Sequence, residues 1–262
     1  MNSKVQKIEY ANDNYLPRLG EEVAAYREGR SVRDGYARGW GLQFGDLRTK
    51  VSKDKLFQEA NAIASGRTVV SEDNRMNIFL ILKFFLGKIP FGHIVEFGSY
   101  KGGNALFMAY VVDRLYPGMK VYALDTFAGM PKTDLTIDAH RAGDFKDVDL
   151  VEMRRFASLN KITNIEFVQG LFESTAPTLL PKIGQVSLAH IDCDIYSAVV
   201  YSYVAVKPFM VTGGYYVFDD AIYSSCLGAT EAVESKLIRE DGLHSEQIFP
   251  QFVFRSPIEE KL

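Results

Sequence analysis

Carboxylate side chains stand at the ends of two apolar segments that read as buried strands. VSLAHIDCD places Asp192 and Asp194 after the first, and GYYVFDD places Asp219 and Asp220 after the second. If these strands are neighbours, the carboxylates meet at one edge of a sheet and raise one another's pKa, a cost that a divalent cation removes. Because the ligands are oxygens, the sequence predicts Mg²⁺, or alternatively Mn²⁺ or Ca²⁺, on Asp192, Asp219 and Asp220.

Asp194 is a separate question from these three predicted ligands. It could serve as a general base, contact an acceptor molecule or cap the helix that follows. The plainest alternative for the whole group is that Asp194 caps this helix and Asp220 begins a solvated loop.

A glycine-rich turn follows the first predicted strand. VEFGSYKGGNA carries Glu96, Gly98, Gly102 and Gly103, and ALDTFAGMP places Asp125 at the end of the second strand. Glycines let a ligand approach the backbone at a helix N-terminus, and an acidic second-strand tip can accept hydrogen bonds from ribose hydroxyls. Both NAD enzymes and S-adenosylmethionine (SAM) methyltransferases are expected to show this combination. The spacing G-x-x-x-G-G, in place of G-x-G-x-x-G, argues against the NAD class.

Short Val- and Ile-rich segments alternate with helical ones after Ser71, a candidate helix N-cap. The tail HSEQIFPQFVFR could add a strand pair, antiparallel at the sheet edge. The other predicted strands are residues 93–97, 120–125, 164–168, 186–192 and 214–220. Parallel strands need helical crossovers, so this order predicts an α/β fold with helices on both faces of the sheet. Ligands of such sheets bind beyond the carboxyl ends of the strands, where these acidic residues stand.

Residues 1–66 lack this alternation and are rich in charge, Tyr and Arg. Within them, KDKLFQEANAIASG reads as a short helix ended by Gly66. We therefore divide the chain into an N-terminal extension of residues 1–66 and an α/β domain of residues 67–262. The extension is expected to be a packed arm or oligomer contact, or alternatively a lid that brings Arg and Tyr to a substrate.

The composition narrows the class of partner. The 262 residues carry a formal net charge of −3 with a pI near 5.9, so nucleic acid is not expected, and a small molecule or neutral glycan fits better. No apolar stretch is long enough for a membrane span and the N-terminus is polar, which predicts a cytoplasmic protein. Cys193 and Cys226 are too few for a disulfide framework or a CxxC zinc site, so a metal is expected to use oxygen ligands.

Four segments in order resemble the macrocin O-methyltransferase type of SAM- and metal-dependent sugar O-methyltransferases. VEFGSYKGG is similar to the family's E-C-G-V-x-x-G-G, LDTFAGMP to D-S-F-x-G-x-P, HIDCDIYSA to R-x-D-x-D-x-Y-x-S, and GGYYVFDD to G-G-x-x-x-x-D-D. The resemblance covers about residues 93–235. It implies a Rossmann-like class I SAM-methyltransferase fold, with a mostly parallel seven-stranded sheet and an N-terminal helical extension.

The resemblance also assigns roles to individual residues. It implies that Asp125 holds the ribose of SAM, that Gly170 and Leu171 close over adenine, and that the metal lies on Asp192, Asp219 and Asp220. The other residues implied to contact SAM are Glu96, Gly98, Ser99, Tyr100, Gly102, Gly103, Thr126, Phe127 and Asp192. The chain departs from the family pattern at His190, where Arg is usual, and at Ser197-Ala198, where an acidic residue followed by Ser is usual.

The implied chemistry is in-line methyl transfer to a sugar hydroxyl of a small glycoside or glycan. Chelation of vicinal hydroxyls by the cation would orient and acidify the acceptor. Asp192 or Asp194 is the preferred base, and His140 in the long loop 132–147 is a further candidate. We also expect a homo-oligomer.

Several alternatives remain at this point. A catechol-type methyltransferase would act on an aromatic diol, but Ile195 lies where such enzymes would place a lysine base. A cephalosporin-hydroxylase-like enzyme shares the fold, and a non-catalytic SAM-fold subunit would use the N-terminal arm for assembly. An NAD oxidoreductase is the least favoured reading.

Overall fold

The computed structural model describes residues 39–257, in which the elements before His93 are all helical and strands alternate with helices from His93 onward. The helices are α1 (Leu47–Lys53), α2 (Lys55–Ala64), α3 (Glu72–Leu80), α4 (Gly103–Leu115), α5 (Leu150–Leu159), α6 (Phe172–Ile183), α7 (Tyr196–Val206) and α8 (Leu227–Ala232). The strands are β1 (His93–Phe97), β2 (Val121–Asp125), β3 (Ile165–Gln169), β4 (Val186–Ile191), β5 (Met210–Phe218) and β6 (Phe252–Arg255). Helical turns also occur at Gly41–Gln43, Ile81–Phe85, Leu86–Lys88, Lys207–Phe209 and Val233–Glu240.

The strands of this described part form one sheet in the order β3-β2-β1-β4-β5-β6. The first five run parallel, and β6 is antiparallel to β5. Successive strands are added outward on one side from β1 to β3 and on the other side from β4 to β6. The strand order therefore reverses between β1 and β4, where Phe97 pairs with Ile191. The carboxyl ends of β1, β2, β4 and β5 therefore open onto one edge, the usual ligand-binding edge of an α/β sheet.

The predicted number of seven strands is wrong, because residues 39–257 form a sheet of six. The tail HSEQIFPQFVFR supplies β6, but its first half makes only an isolated antiparallel bridge between Gln247 and Val253. The chain has to reverse between these two residues, and Pro250 has no N–H to donate to a ladder. The five parallel strands predicted from the sequence are confirmed.

Apolar side chains from the helices cover both faces of the sheet. On one face, the Phe57 ring of α2 meets the rings of Phe79 and Phe107 edge to face, with centroids 5.4 and 5.8 Å away. On the other, Tyr203 of α7 meets Tyr216 of β5 with ring centroids 5.2 Å apart. Burial of such large aromatic surfaces stabilises the layers and fixes the helices over the strands.

Helix α2 is part of this core although it belongs to the predicted extension. Phe57, Ala60 and Ala64 are buried, and the carboxylate of Asp54 caps the helix by accepting from the N–H of Leu56 at 2.9 Å. Residues 1–38 lie outside the described residues, so the division of the chain at residue 66 stays a prediction. Over residues 39–257, no helix has the length and apolar character needed to cross a membrane.

Candidate active site at the carboxyl edge of the sheet

The turn between β1 and α4 is built around the buried carboxylate of Glu96. Oε2 of Glu96 accepts from the Ser99 hydroxyl at 2.7 Å, and Oε1 accepts from Nδ2 of Asn104 at 2.8 Å. Gly98 has a φ of +85°, and a Cβ at this position would lie 1.7 Å from the carbonyl oxygen of Asp192. Glycine is therefore required here because the tips of β1 and β4 are in direct backbone contact.

Asp125 at the tip of β2 is bound to the same turn. Its Oδ2 accepts from the backbone N–H groups of Ser99 and Tyr100 at 2.8 and 2.9 Å, and its Oδ1 accepts from the N–H of Phe127 at 2.7 Å. A carboxylate has about four acceptor sites, so these three N–H groups leave Asp125 about one site for a ligand, on Oδ1 beside the Thr126 hydroxyl at 3.4 Å.

The residues predicted to contact SAM divide into two groups. A cavity of about 830 Å³ is lined by Glu96, Gly98, Ser99, Tyr100, Asp125, Thr126, Leu171 and Asp192. Gly102, Gly103, Phe127 and Gly170 pack against protein. A Cβ on Gly102 would meet Met153 at 2.7 Å, one on Gly103 would meet the backbone of Arg67 at 2.6 Å, and one on Gly170 would meet Thr175 at 2.9 Å. The buried Phe127 ring packs edge to face on Phe167.

Three carboxylates meet at the tips of β4 and β5 in what we call the acidic cluster, Asp192, Asp219 and Asp220. One oxygen from each lies within 4.8 Å of the other two. Burial, followed by the charges of Asp219 and Asp220, raises the pKa of Asp192 well above its usual range. Burial, followed by the charges of Asp194 and Asp219, raises the pKa of Asp220 well above its usual range. Asp220 does begin a loop whose residues 222–225 are exposed, but its own side chain is buried, so it is not the solvated carboxylate of the alternative interpretation.

The acidic cluster fits a hard divalent cation. Oxygens bound to Mg²⁺ at about 2.0–2.1 Å lie about 2.9–4.2 Å from one another in an octahedron, and the three aspartate oxygens lie within 4.8 Å of one another. The set consists only of oxygens, and a cation would offset the mutual repulsion that raises the two pKa values. The side-chain amide Nδ2 of Asn74 on α3 also donates to Oδ1 of Asp219 at 2.8 Å and holds this carboxylate in place.

His190 connects the acidic cluster to the β1–α4 turn. Its side chain is fully buried, with Nδ1 3.2 Å from Oε1 of Glu96 and Nε2 3.6 Å from Oδ1 of Asp219. Burial alone would lower the pKa of His190, but Asp219 and Glu96 outweigh it and raise the pKa to about 9. His190 is therefore an imidazolium at neutral pH and supplies a buried positive charge where the family pattern has Arg.

Asp194 faces a different set of neighbours from Asp192. Its backbone has a φ of +59°, and its N–H donates to Oδ2 of Asp220 at 2.9 Å. Its Oδ1 lies 3.4 Å from Nε2 of His140 and accepts from the thiol of Cys226 at 3.4 Å. Burial raises the pKa of Asp194, although the charge of His140 opposes this. The structure thus brings together Asp194 and His140, two of the three predicted base candidates.

The helix-cap interpretation of Asp194 is wrong, because the cap of α7 comes from a distant residue. Oδ1 of Asp138 accepts from the N–H of Tyr196 at 2.8 Å. Asp138 lies in the loop after β2 and is 5% exposed, so it anchors this loop on the start of α7. The anchored loop carries His140, whose Nδ1 lies 3.3 Å from Oδ2 of Asp144.

Sequence reasoning missed Asn74, Asn104, Asp138 and Cys226. Asn74 and Asn104 are buried polar residues at the starts of apolar helices, and such polar residues in apolar surroundings were an available signal. Asp138 and Cys226 gave no comparable signal, since each acquires its role through a contact with a residue more than thirty positions away.

The sheet order and the position of the cavity define an α/β protein of the class I methyltransferase type. The sequence model of the Macrocin-O-methyltransferase (TylF) family matches residues 80–241. This match covers more than half of the chain, and the chain belongs to this family of SAM-dependent O-methyltransferases.

One curated relative and two solved structures illustrate the similarity. The 8-demethyl-8-(2,3-dimethoxy-alpha-L-rhamnosyl)-tetracenomycin-C 4'-O-methyltransferase of Streptomyces olivaceus is 26% identical over 151 residues, which cover 53% of this chain and 56% of that protein. The match therefore spans about half the length of that relative.

The structures share the fold at low sequence identity. The O-methyltransferase NovP superposes with a TM-score of 0.62 at 22% identity, over 76% of this chain and 88% of NovP. CalS11, a calicheamicin methyltransferase, superposes with a TM-score of 0.62 at 17% identity, over 86% of this chain and 93% of CalS11. These similarities confirm the predicted class I SAM-methyltransferase fold.

Proposed function

We propose that this protein methylates a sugar hydroxyl of a small glycoside or glycan, using SAM as methyl donor and a divalent cation, preferably Mg²⁺. One observation carries the proposal. The β1–α4 turn with Glu96 and Asp125 faces the same cavity as the acidic cluster and Asp194. A methyl donor on one side and an oriented hydroxyl on the other would thus be held within one cavity.

The cofactor side of the cavity suits SAM. SAM supplies an electrophilic methyl group on a sulfonium. Glu96, Ser99 and Asn104 offer polar atoms for its amino-acid end, and Oδ1 of Asn104 has no hydrogen-bond donor among residues 39–257 and can accept from an ammonium. Asp125 retains about one acceptor site, which suits a ribose hydroxyl. The proposed contacts of Gly102, Gly103, Phe127 and Gly170 with SAM are the weaker part of the set, because these residues face protein.

The metal side of the cavity suits an oxygen-binding cation. When bound on Asp192, Asp219 and Asp220, such a cation supplies positive charge that orients and acidifies an acceptor hydroxyl. The side-chain amide of Asn74 and the imidazole of His190 both contact Oδ1 of Asp219. These contacts restrict the position of the Asp219 carboxylate within the acidic cluster. Asp192 belongs to this group, which leaves Asp194 and His140 to accept the proton.

Asp194 and His140 form the proposed proton acceptor as a pair. A buried carboxylate with a raised pKa is a stronger base than an exposed one. Nε2 of His140 lies close enough to share the proton with Asp194, and Asp144 orients the imidazole through Nδ1. We place Asp194 first as the base and His140 second.

A sugar acceptor is supported by the relatives rather than by the cavity alone. The Streptomyces relative is named for a rhamnosyl 4'-O-methylation, and a CalS11 structure is described as a TDP-rhamnose 3'-O-methyltransferase. A catechol acceptor is less favoured, since the residue after Asp194 is the buried Ile195. The lysine in the cavity lining, Lys132, comes from the loop after β2 instead. Cytoplasmic location, a homo-oligomer and the role of residues 1–66 remain predictions from the sequence.

The test is a comparison of acceptors with the full chain. SAM and Mg²⁺ are incubated with TDP-rhamnose, simple alkyl rhamnosides or catechol, and S-adenosylhomocysteine is quantified by mass spectrometry. We expect product with rhamnosyl diols, loss of product with a chelator and loss in Asp219→Asn. Asp113→Asn, which alters an exposed carboxylate on α4, is the matched control. Turnover of catechol alone, or full activity in the presence of chelator, would refute the proposal.

A further inference from the structure

Three chemically different ligand groups converge beside the acidic cluster. Nε2 of His140 lies 3.4 Å from Oδ1 of Asp194, and Sγ of Cys226 lies 3.7 Å from Nε2 of His140 and 3.4 Å from Oδ1 of Asp194. These residues come from the loop after β2, the segment after β4 and the position before α8. We call them the His–Asp–Cys triad.

The spacing of the triad matches a tetrahedral zinc site. Zinc ligands at about 2.0–2.3 Å from the metal lie about 3.3–3.6 Å from one another in a tetrahedron. The observed separations of 3.4, 3.7 and 3.4 Å agree with these values to within a few tenths of an ångström. All three residues line the cavity, so a fourth position is open to water or another ligand.

The charge around the triad also favours a second cation. Asp194 and the acidic cluster bring four carboxylates together, and one divalent cation offsets only two negative charges. Of the basic side chains, Lys132 lines the same cavity and His190 lies 3.6 Å from Asp219.

The triad and the acidic cluster select different metals. The acidic cluster offers only carboxylate oxygens, which suit Mg²⁺, whereas imidazole nitrogen and thiolate sulfur suit Zn²⁺ and its Co²⁺ substitute. The two groups are neighbours, since Sγ of Cys226 lies 3.9 Å from Oδ1 of Asp220. The expectation that a metal would use oxygen ligands alone thus applies to only one of these two groups.

We propose that His140, Asp194 and Cys226 form a binding site for a thiophilic divalent cation, with Zn²⁺ as the preferred ion. Binding forms a metal–sulfur bond and releases the thiol proton of Cys226 to solvent, with no change in oxidation state. The consequence for activity rests on the proposed function, in which His140 and Asp194 take the proton of the sugar hydroxyl. The bound ion occupies the same atoms of these two residues. Zinc is then an inhibitor that acts at the base.

The experiment is a Co²⁺ titration of the full chain, followed by absorption spectroscopy. A Co²⁺–thiolate bond gives a charge-transfer band in the near ultraviolet, and tetrahedral Co²⁺ gives intense visible bands. We expect both to saturate at one ion per chain, to be removed by stoichiometric Zn²⁺ and to survive excess Mg²⁺. Cys226→Ser is expected to abolish the charge-transfer band, and His140→Ala to weaken Co²⁺ binding.

Two variants serve as matched controls. Cys193→Ser removes the other buried thiol, whose sulfur lies 4.0 Å from the hydroxyl of Ser202, and should keep the band. Asp219→Asn removes a ligand of the acidic cluster and should keep it as well. Circular dichroism of each variant checks that it is folded, and His140→Ala, at a partly exposed position, tests the site independently of the thiol.

Specific results would overturn the proposal. Absence of the charge-transfer band in the wild-type chain, its persistence in Cys226→Ser or its loss in Cys193→Ser would each do so. Calorimetric binding of S-adenosylhomocysteine, measured separately, tests the proposed function. A failure of that measurement would leave the cobalt spectra unaffected, so the two proposals fail independently.

Discussion

Nδ1 of His190 lies 3.2 Å from Oε1 of Glu96, and both side chains are fully buried. On its other side the imidazole faces Asp219 of the acidic cluster at 3.6 Å. A single cation between these carboxylates joins the proposed cofactor side to the proposed metal side. Without it, Glu96 and Asp219 would be buried charges that lack this partner, and such charges destabilise a fold strongly.

We predict that His190→Asn lowers the free energy of unfolding by on the order of 3 kcal/mol at pH 6. The folded pKa of about 9 lies above the unfolded value of 6.5. The stabilisation is therefore complete below about pH 6.5 and is lost as the pH rises through about 9. Urea unfolding at pH 6 and pH 10 should show a difference between variant and wild type that shrinks at the higher pH. His244→Asn, at an exposed histidine, is the control, and an equal difference at both pH values would contradict the role of His190 as a cation.

We predict opposite effects of Asp192→Asn with and without metal. In the metal-free protein the raised pKa values of Asp192 and Asp220 mean that ionisation costs stability as the pH rises above the unfolded values of about 4. Asparagine cannot ionise, so the variant should have a higher Tm than wild type in chelator at pH 8. Added Mg²⁺ should raise the Tm of wild type and leave that of the variant nearly unchanged.

Asp113→Asn is the control for this measurement, since it alters an exposed carboxylate remote from the cluster. An equal Mg²⁺-dependent rise in Tm in wild type and Asp192→Asn would show that the cation binds elsewhere.

We predict that Asp125→Asn weakens binding of S-adenosylhomocysteine by about 10- to 100-fold. Oδ2 of Asp125 accepts from the N–H groups of Ser99 and Tyr100, and an amide that turns its NH₂ toward these donors would disrupt the turn. Hydrogen bonds to a charged group contribute about 1.5–3 kcal/mol each. Isothermal titration calorimetry on the folded variant measures the loss, and unchanged affinity would exclude Asp125 from the cofactor site.

We predict that Asp138→Ala releases the loop that carries His140. Loss of the cap on Tyr196 should cost about 1 kcal/mol of stability. The loop residues Arg141 and Lys146 should then be cut faster by trypsin than in wild type, as followed by mass spectrometry. Asp134→Ala is the control, because this side chain is exposed and accepts only from Thr136 within the described contacts. An unchanged cleavage rate would show that Asp138 does not anchor the loop.

Much of the fold could be read from the sequence because it follows from local patterns. The five parallel strands show as short Val- and Ile-rich segments, and the helices between them dictate the crossovers. Ser71 was predicted as a helix N-cap, and its hydroxyl accepts from the N–H of Asn74 at 3.1 Å. The prediction of a seventh strand is wrong for residues 39–257. Pairing at the sheet edge depends on how the tail reverses at Pro250, and this leaves no local signal in the sequence.

The sequence by itself determined which carboxylates meet, since Asp192, Asp219 and Asp220 follow parallel strands whose carboxyl ends must share one edge. Only the tertiary structure decided what lies around them. The cap that Asp138 provides for Tyr196 spans 58 residues, and the contact of Cys226 with His140 spans 86. Contacts between residues so far apart in sequence form where a loop packs against the folded core. The periodicity of strands and helices in the sequence does not encode them. For that reason Asp192 and Asp194, two positions apart in the chain, face two different groups of side chains.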